Sequence, residues 1–308
     1  MFPTPTPPPT IPPELISPDS NPSKNSELIA LIVGVASTVF GTLIYDYIKQ
    51  NTSVRVKVIK KSSDKDIEGF VDLYNKLINE DIRIDPAEII SWIDEDRALR
   101  KVKTHNYLHY LLVGKLSGEV VSFLKVMYCT DSKYLFIAYY GIDTENEKAR
   151  RLAAPAMIKG LSKLIMAEMK DCKGIVLEVQ APSPKIDFQE NNERKARIRL
   201  FKETAKRLNY RMYEVGIDYL QPQMDINSED EFEEEKMILL YAPVNDTVPY
   251  NKKISKDKVL EILNFIYLQI YRPTFRHDPE KDFAYQVYLN SLLRDYEANL
   301  PQSISLKD

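Results

Sequence analysis

YLFIAYYGIDTENEKARRLAAPAMIKGLSKLIMAEMKDCKGIVLEV, residues 134–179, decides the fold because its periodicity changes twice. Tyr134–Ile142 is an apolar and aromatic run of strand length. Asn146–Met169 then places Leu152, Ala153, Ala156, Met157, Gly160, Leu161, Leu164 and Ile165 on one stripe, the mark of a long helix with a buried side. Gly174–Val179 is a second, shorter strand, apolar enough to be buried.

Working outward, Ser53–Ile59 (SVRVKVI) alternates apolar and polar residues, as a strand with one covered face does. Asp66–Asn79 and Ala87–Leu99 have helical spacing, and the second holds the only tryptophan, Trp92. Tyr107–Leu116 and Val120–Cys129 flank Ser117-Gly118-Glu119, a tight hairpin signal. Arg197–Leu208 reads as a helix with Ile198, Phe201, Ala205 and Leu208 inward. Tyr210–Tyr219 and Met237–Tyr241 read as the last strands. The resulting order, β-α-α-β-β-β-α-β-α-β-β, describes an α/β (α+β) domain over 54–245 with a mixed central sheet flanked by helices. The acidic run SEDEFEEE (Ser228–Glu235) is expected to be a solvated loop. Two amphipathic stretches, Lys256–Tyr271 and Asp282–Ala298, predict a helical extension over 256–298 that packs on the main domain.

The N-terminal part has another character. Residues 1–26 are dense in proline and are expected to form an extended tail without a core. LIALIVGVASTVFGTLIY, Leu28–Tyr45, contains no charge, and a helix of that length rises about 27 Å, close to a bilayer's hydrocarbon thickness. A buried core helix would show a polar stripe, and a signal peptide would show a basic start and a shorter apolar stretch. A transmembrane helix over 27–48 is therefore expected. Lys49, Arg55, Lys57, Lys60, Lys61 and Lys65 follow the span, whereas Lys24 alone precedes it among Glu14, Asp19 and Glu27. The charge bias predicts a single-pass protein of the cell (inner) membrane, its tail outside and its C-terminal domain cytoplasmic. Ala30/Gly34 and Ser37/Gly41 are small-residue pairs at a spacing that permits a homodimer through this helix. Asn51-Thr52-Ser53 is a formal glycosylation sequon on the cytoplasmic side of this topology.

Composition excludes several classes. A net charge of -3 over 308 residues gives no basic excess for nucleic acid. Two cysteines, Cys129 and Cys172, build no disulfide framework and read as reduced thiols. His105, His109 and His277 form no zinc-ligand spacing with them, so no metal is expected, and His109 reads as a satisfied strand histidine.

The strand-to-helix junction is the candidate site. Tyr140, Gly141 and Ile142 lead toward a helix N-terminus, whose free amides and dipole attract anions. Lys148, Arg150 and Arg151 stand near the first turns and suit a phosphate or pyrophosphate; Glu145 and Glu147 offset them, and a plain basic helix surface is the other reading.

At this point the chain resembles the GNAT acetyltransferase superfamily. The matching segments are FIAYYGIDTENEKARRLAAPAM, GIVLEVQAP and FKETAKRLNYRMYEVGIDYLQP, the last similar to bacterial members that end in a D-Y-V-Q-P-like strand and carry extra C-terminal helices. The resemblance spans roughly residues 54–295, in the element order of such folds. It implies coenzyme A binding and direct attack of an amine on acetyl-CoA. The family loop Arg/Gln-x-x-Gly-x-Gly/Ala is met here by Arg151-Leu-Ala-Ala154-Pro-Ala156. Pro155 suits a helix's first turn, so the helix is expected to restart near Ala154, with anion-binding amides at Ala153, Ala154 and Ala156. The tyrosine that serves many members as acid toward the thiolate has no counterpart, since Phe201 and Ala205 occupy that region; Tyr210 is a substitute or an aromatic core residue. Base candidates are Glu178, Tyr139 and Tyr140, with a hydrogen-bonded strand carboxylate as the structural alternative for Glu178. The leading expectation is a membrane-anchored, acyl-CoA-dependent N-acyltransferase acting on an amine acceptor. The alternative is a non-catalytic sensor or scaffold on the same fold.

Overall fold

The computed structural model describes residues 53–78, 84–99, 106–207, 210–222, 234–246, 251–272 and 279–308. The proline-rich tail, the expected membrane span, the Asn51 sequon and most of the acidic run lie outside these residues. Met1–Lys49 and Gln50–Asp308 are separate units, and the described residues all belong to the second. Among the described residues no helix is long and apolar enough to cross a membrane.

Strand β1 (Arg55–Ile59) is followed by helices α1 (Ile67–Leu77) and α2 (Pro86–Leu99), then by β2 (Tyr107–Leu116), β3 (Glu119–Cys129) and β4 (Tyr134–Ile142). These four strands pair antiparallel in order. Ser117 (φ 54°) and Gly118 (φ 96°) turn β2 into β3, the two left-handed positions that a tight two-residue hairpin demands. Helix α3 (Glu147–Glu168) carries the chain from β4 to β5 (Gly174–Gln180), which lies parallel to β4. Helix α4 (Phe188–Arg207) follows.

The last strand segment expected from sequence, Tyr210–Tyr219, is broken in two: β6 (Tyr213–Val215) and β7 (Tyr219–Pro222). Both pair with β8 (Glu234–Pro243), which reaches further back than the apolar core of its sequence suggested. The C-terminal region holds β9 (Lys253–Ser255), helix α5 (Lys256–Asn264), a π-helical turn Phe265–Tyr271, helix α6 (Pro279–Asn299) and β10 (Ser303–Lys307). Strands β9 and β10 extend the sheet through β6, in the order β1-β2-β3-β4-β5-β8-β6-β10-β9. The helical extension is therefore bracketed by strands of the same sheet. Neither short strand was expected, because three to five residues carry too little periodicity to read.

Two helical layers cover the sheet. Leu112, Leu124, Leu135, Ile137 and Leu177 face α3 and α4, with Met157, Leu161, Leu164 and Phe201 packed against them. On the opposite face α1 and α2 cover Leu111, Val113 and Phe123 through Phe70, Tyr74, Ile89 and Ile93. The C-terminal helices cover the other half of that face, burying Phe136, Val176, Tyr219, Leu239 and Tyr241 under Ile262, Phe265, Ile266, Tyr267 and Tyr285. His109 is the satisfied strand histidine expected: its Nδ1 accepts from buried Lys125 at 2.7 Å, and its ring lies 4.9 Å from Trp92. Cys129 and Cys172 are buried free thiols.

Candidate active site

The sheet opens at its centre. Strands β4 and β5 pair from Tyr134↔Gly174 to Ile137↔Leu177 and no further. At the same level the β3–β4 register slips: Val126 faces Ile137, but Lys125 faces Tyr139, leaving Ala138 as an extra residue in β4. Such a bulge bends its strand and shifts the side-chain alternation. Beyond it, no described strand pairs with the β5-facing edge of β4. The backbone groups of that edge and of Glu178–Gln180 look across a gap.

Glu178 is the first β5 residue past the parting. It is half-buried and faces the C-terminal helices, like Val176 two positions before it. Its Oε1 accepts from the Tyr219 hydroxyl. Its Oε2 accepts from the Tyr271 hydroxyl at 2.5 Å and from Gln221 Nε2 at 3.0 Å, and Gln221 also donates to the Tyr271 oxygen at 2.5 Å. Removal from water pushes the carboxyl pKa up to about 7, and the donation by Tyr219, Tyr271 and Gln221 restrains the rise. Tyr219 and Tyr271 are themselves held far above the ordinary phenol range, chiefly by burial and then by the neighbouring carboxylate, so both remain donors.

These three partners escaped the sequence reading. Tyr219 and Gln221 had a signal, since their alternate spacing in one strand puts both on the same face. Tyr271 had none: it arrives from a π-helical turn, a rare geometry that recurs at functional sites. Two further hydroxyls fix the scaffold here. Tyr267 donates to the Leu220 carbonyl at 2.5 Å and Tyr296 to the Asp218 carbonyl at 2.9 Å.

The other two base candidates take different places. Tyr139 faces α1, its oxygen accepts from the Ile84 amide at 3.3 Å, and its ring lies edge-on to Tyr74 at 5.3 Å. Tyr140 faces α3 and α4, with its ring 5.4 Å from Phe201. Burial raises the pKa of both phenols and so keeps them protonated near neutrality, which weighs toward Glu178 among the three candidates. Phe201 and Ala205 are buried against this core, and Tyr210 lines the same apolar cavity of about 20 Å³ as they do, with Ile137, Ile158 and Ser162.

The anion site departs from its expectation. Helix α3 does not restart at Ala154; it runs unbroken from Glu147 with Pro155 inside it. Ala153 and Ala154 are buried against the sheet, and the amides of Ala153, Ala154 and Ala156 belong to the helix interior, not to a free terminus. At the true terminus, the Asn146 side chain already accepts from the Ala149 amide at 3.0 Å. Glu147 occupies the first turn, and Lys76 bridges Asp143 at 3.2 Å and Glu145 at 2.7 Å just before it. Gly141 is a packing glycine: a Cβ there would stand 2.4 Å from the Phe123 ring. Ile142 packs beside Val54 and Leu116.

Lys148, Arg150 and Arg151 are exposed on the first two turns of α3. Arg151 lies two turns before Ile158 and so on the flank that lines the cavity with Phe201 and Ala205. A phosphate at this end would thus meet cationic side chains in place of backbone amides. Among the described residues no group of three His, Cys, Asp or Glu side chains is placed to hold a metal ion.

No protein-family model matches the chain, and no curated protein matches it in sequence. Solved structures similar to it include a protein described as a GNAT-family acetyltransferase from Bacteroides thetaiotaomicron: 16% identity, 70% of this chain and 98% of that one covered, TM-score 0.42. The ribosomal-protein-S5-alanine acetyltransferase of Vibrio fischeri matches at 14% identity over 64% of this chain and 96% of its own, TM-score 0.39. A Bacillus subtilis acetyltransferase in complex with CoA matches at 11% identity over 62% and 99%, TM-score 0.33. At such distance none of them fixes the role of a residue in this chain.

Proposed function

We propose that this chain is an acyl-CoA-dependent N-acyltransferase. The observation that carries the reading is the parting of β4 from β5 beyond Ile137↔Leu177, with the Glu178 carboxylate at the first position past it. The reaction needs three things from the protein: a base for the attacking amine, donors toward the thioester oxygen, and a channel through the sheet. Glu178 supplies a carboxylate whose pKa of about 7 suits proton removal near neutrality. The unpaired edge of β4 past Ala138 offers backbone amides. In this reading the thioester arm lies on the sheet face that carries Tyr140 and Phe201, and the exposed Lys148, Arg150 and Arg151 meet the phosphates. The amine nitrogen bonds to the carbonyl carbon, the carbon–sulfur bond breaks with its electron pair going to sulfur, and Glu178 takes the amine proton.

A second reading, a scaffold that has kept the fold without the chemistry, is favoured by one feature. The α3 terminus is capped by its own Asn146 and preceded by carboxylates, which opposes phosphate binding through amides. Calorimetric titration of the purified full-length chain with coenzyme A separates the two readings. Micromolar binding, with transfer of labelled acetyl from acetyl-CoA to a panel of polyamine, amino-acid and peptide amines, supports the enzyme. No binding at millimolar coenzyme A favours the scaffold.

Leu28–Tyr45 supports membrane anchoring as part of this proposal, with the domain on the cytoplasmic side where coenzyme A is available and with the small-residue pairs as a dimer seam. Protease added to spheroplasts should then spare residues 54–308, and digestion of that region in intact spheroplasts would reverse the topology.

A further inference from the structure

Helices α3 and α4 cover one face of the sheet, and their outward sides are cationic. Together they expose nine Lys and Arg side chains against four Glu, in a chain whose net charge is -3. Lys159, Lys163 and Met166 recur at helical spacing on the side of α3 away from the buried Met157, Leu161 and Leu164. Lys195, Arg199 and Lys206 do the same on α4, away from the buried Phe201 and Ala205. None of these five cations pairs with a carboxylate among the described residues; the ion pairs of α4 use Arg194 and Lys202 instead. Elsewhere on the domain Lys57, Lys115, Lys173 and Lys258 all have acidic partners.

Apolar side chains emerge on the same two helices. Of the five large hydrophobic residues that the described domain exposes, three are here: Met166 at 62%, Phe188 at 83% and Leu200 at 37%. Unpaired cations interleaved with exposed apolar side chains match a partner that is anionic at its surface and apolar just beneath. A nucleic acid would use the cations and leave Met166 and Leu200 in water. The chain also reaches this layer from the uncharged run. Tyr45 ends that run ten peptide steps before Arg55, which is at most about 35 Å of chain. Val56 of β1 then packs beneath α3, where a Cβ on Gly160 would stand 2.6 Å from it.

We propose that the outward side of α3 and α4 is a docking surface for anionic phospholipid headgroups. The proposal deepens the membrane-anchored part of the reading above and rests on it for the nearness of a bilayer. Lysines and arginines near an anionic leaflet are each attracted to it, and Met166, Phe188 and Leu200 reach the boundary of the acyl chains. Lys148, Arg150 and Arg151, assigned above to the phosphates of coenzyme A, are not needed for this contact.

The test reads lysine reactivity and needs no knowledge of the acceptor. The full-length chain is placed in nanodiscs of phosphatidylcholine alone and of phosphatidylcholine with phosphatidylglycerol. Its lysines are then modified with an amine-reactive ester and quantified by mass spectrometry. In the anionic discs Lys159, Lys163 and Lys195 should react about fivefold more slowly or less, whereas exposed Lys253 on β9 should react equally in both. Added salt should erase the protection. Lys163→Glu/Arg199→Glu should lose it without a fall in melting temperature, and Met166→Ser/Phe188→Ser should reduce it with every cation in place. Equal reactivity in the two discs would overturn the docking surface and leave the anchor standing. Protection by added transfer RNA in neutral discs, with none from phosphatidylglycerol, would overturn it in favour of nucleic acid. A chain that enters neither disc would defeat the anchor, and flotation with phosphatidylglycerol vesicles would then decide the surface by itself. Flotation that Lys163→Glu/Arg199→Glu abolishes would uphold it, and no flotation would overturn it too.

Discussion

Tyr271, the last residue of a π-helical turn in the C-terminal region, donates its hydroxyl at 2.5 Å to the carboxylate of Glu178 on the central strand β5. The bond joins residues 93 positions apart and makes the C-terminal extension a part of the candidate active site. Gln221 on β7 closes the triangle by donating to both.

Tyr271→Phe removes one donor from the Glu178 carboxylate and leaves the ring in place. Hydrogen bonds to charged groups contribute about 1.5–3 kcal/mol, so the Glu178 pKa should rise further, by about one unit or more above its present value near 7. A base works only when deprotonated. The acid limb of the pH dependence of kcat/KM should therefore move to higher pH, which a pH series on wild type and variant measures directly. A purely structural role would lower the melting temperature and leave the limb where it is.

Glu178→Gln should show two separable effects. Folded Glu178 holds its proton up to about pH 7, whereas the unfolded chain releases it near the ordinary carboxylate value of 4.5. The native state therefore binds more protons across that window, and the stability from this site is full below about pH 4.5 and is lost as pH rises toward 7. The integrated change is roughly 3 kcal/mol. Glutamine cannot ionise, so the gap in melting temperature between variant and wild type should shift in the variant's favour across that window. Turnover should fall about 100-fold or more above about pH 7, where wild-type Glu178 is ionised, with a narrower gap at lower pH and coenzyme A affinity nearly unchanged.

Arg151→Glu tests the phosphate end. If side chains rather than amides hold the phosphates, charge reversal should weaken coenzyme A binding by about 1–3 kcal/mol without loss of stability, since Arg151 is exposed. Titration calorimetry at two salt concentrations reads both the loss and its electrostatic origin. Unchanged affinity would remove α3 from the binding site.

Gly141→Ala probes packing at the opening. The added methyl would meet the Phe123 ring at 2.4 Å and Leu77 at 3.0 Å, both in the core beneath α1. Overpacking of this kind costs about 1–3 kcal/mol, to be seen as a lowered urea midpoint at constant slope.

The sequence by itself determined the elements whose signals are local. The strand–helix–strand run from Tyr134 to Val179 formed as its periodicity dictates, with Leu161, Leu164 and Ile165 on the buried stripe of α3. The Ser117-Gly118 turn followed from backbone conformations that few residues adopt. Glu178 was singled out because a carboxylate in a buried strand demands an explanation. Tertiary structure alone decided what surrounds it. Tyr219, Gln221 and Tyr271 reach Glu178 from 41 to 93 residues away, and no local pattern encodes contacts across such distances. The bulge at Ala138 is a mismatch between two paired strands, and neither strand reveals it alone. The same holds for α3: in sequence Pro155 marked a helix start, yet Ala149, Ala153, Ala154 and Met157 packing against the sheet holds the helix through the proline. Where propensity and burial competed, burial prevailed, because an amphipathic helix takes most of its stability from the face that it buries.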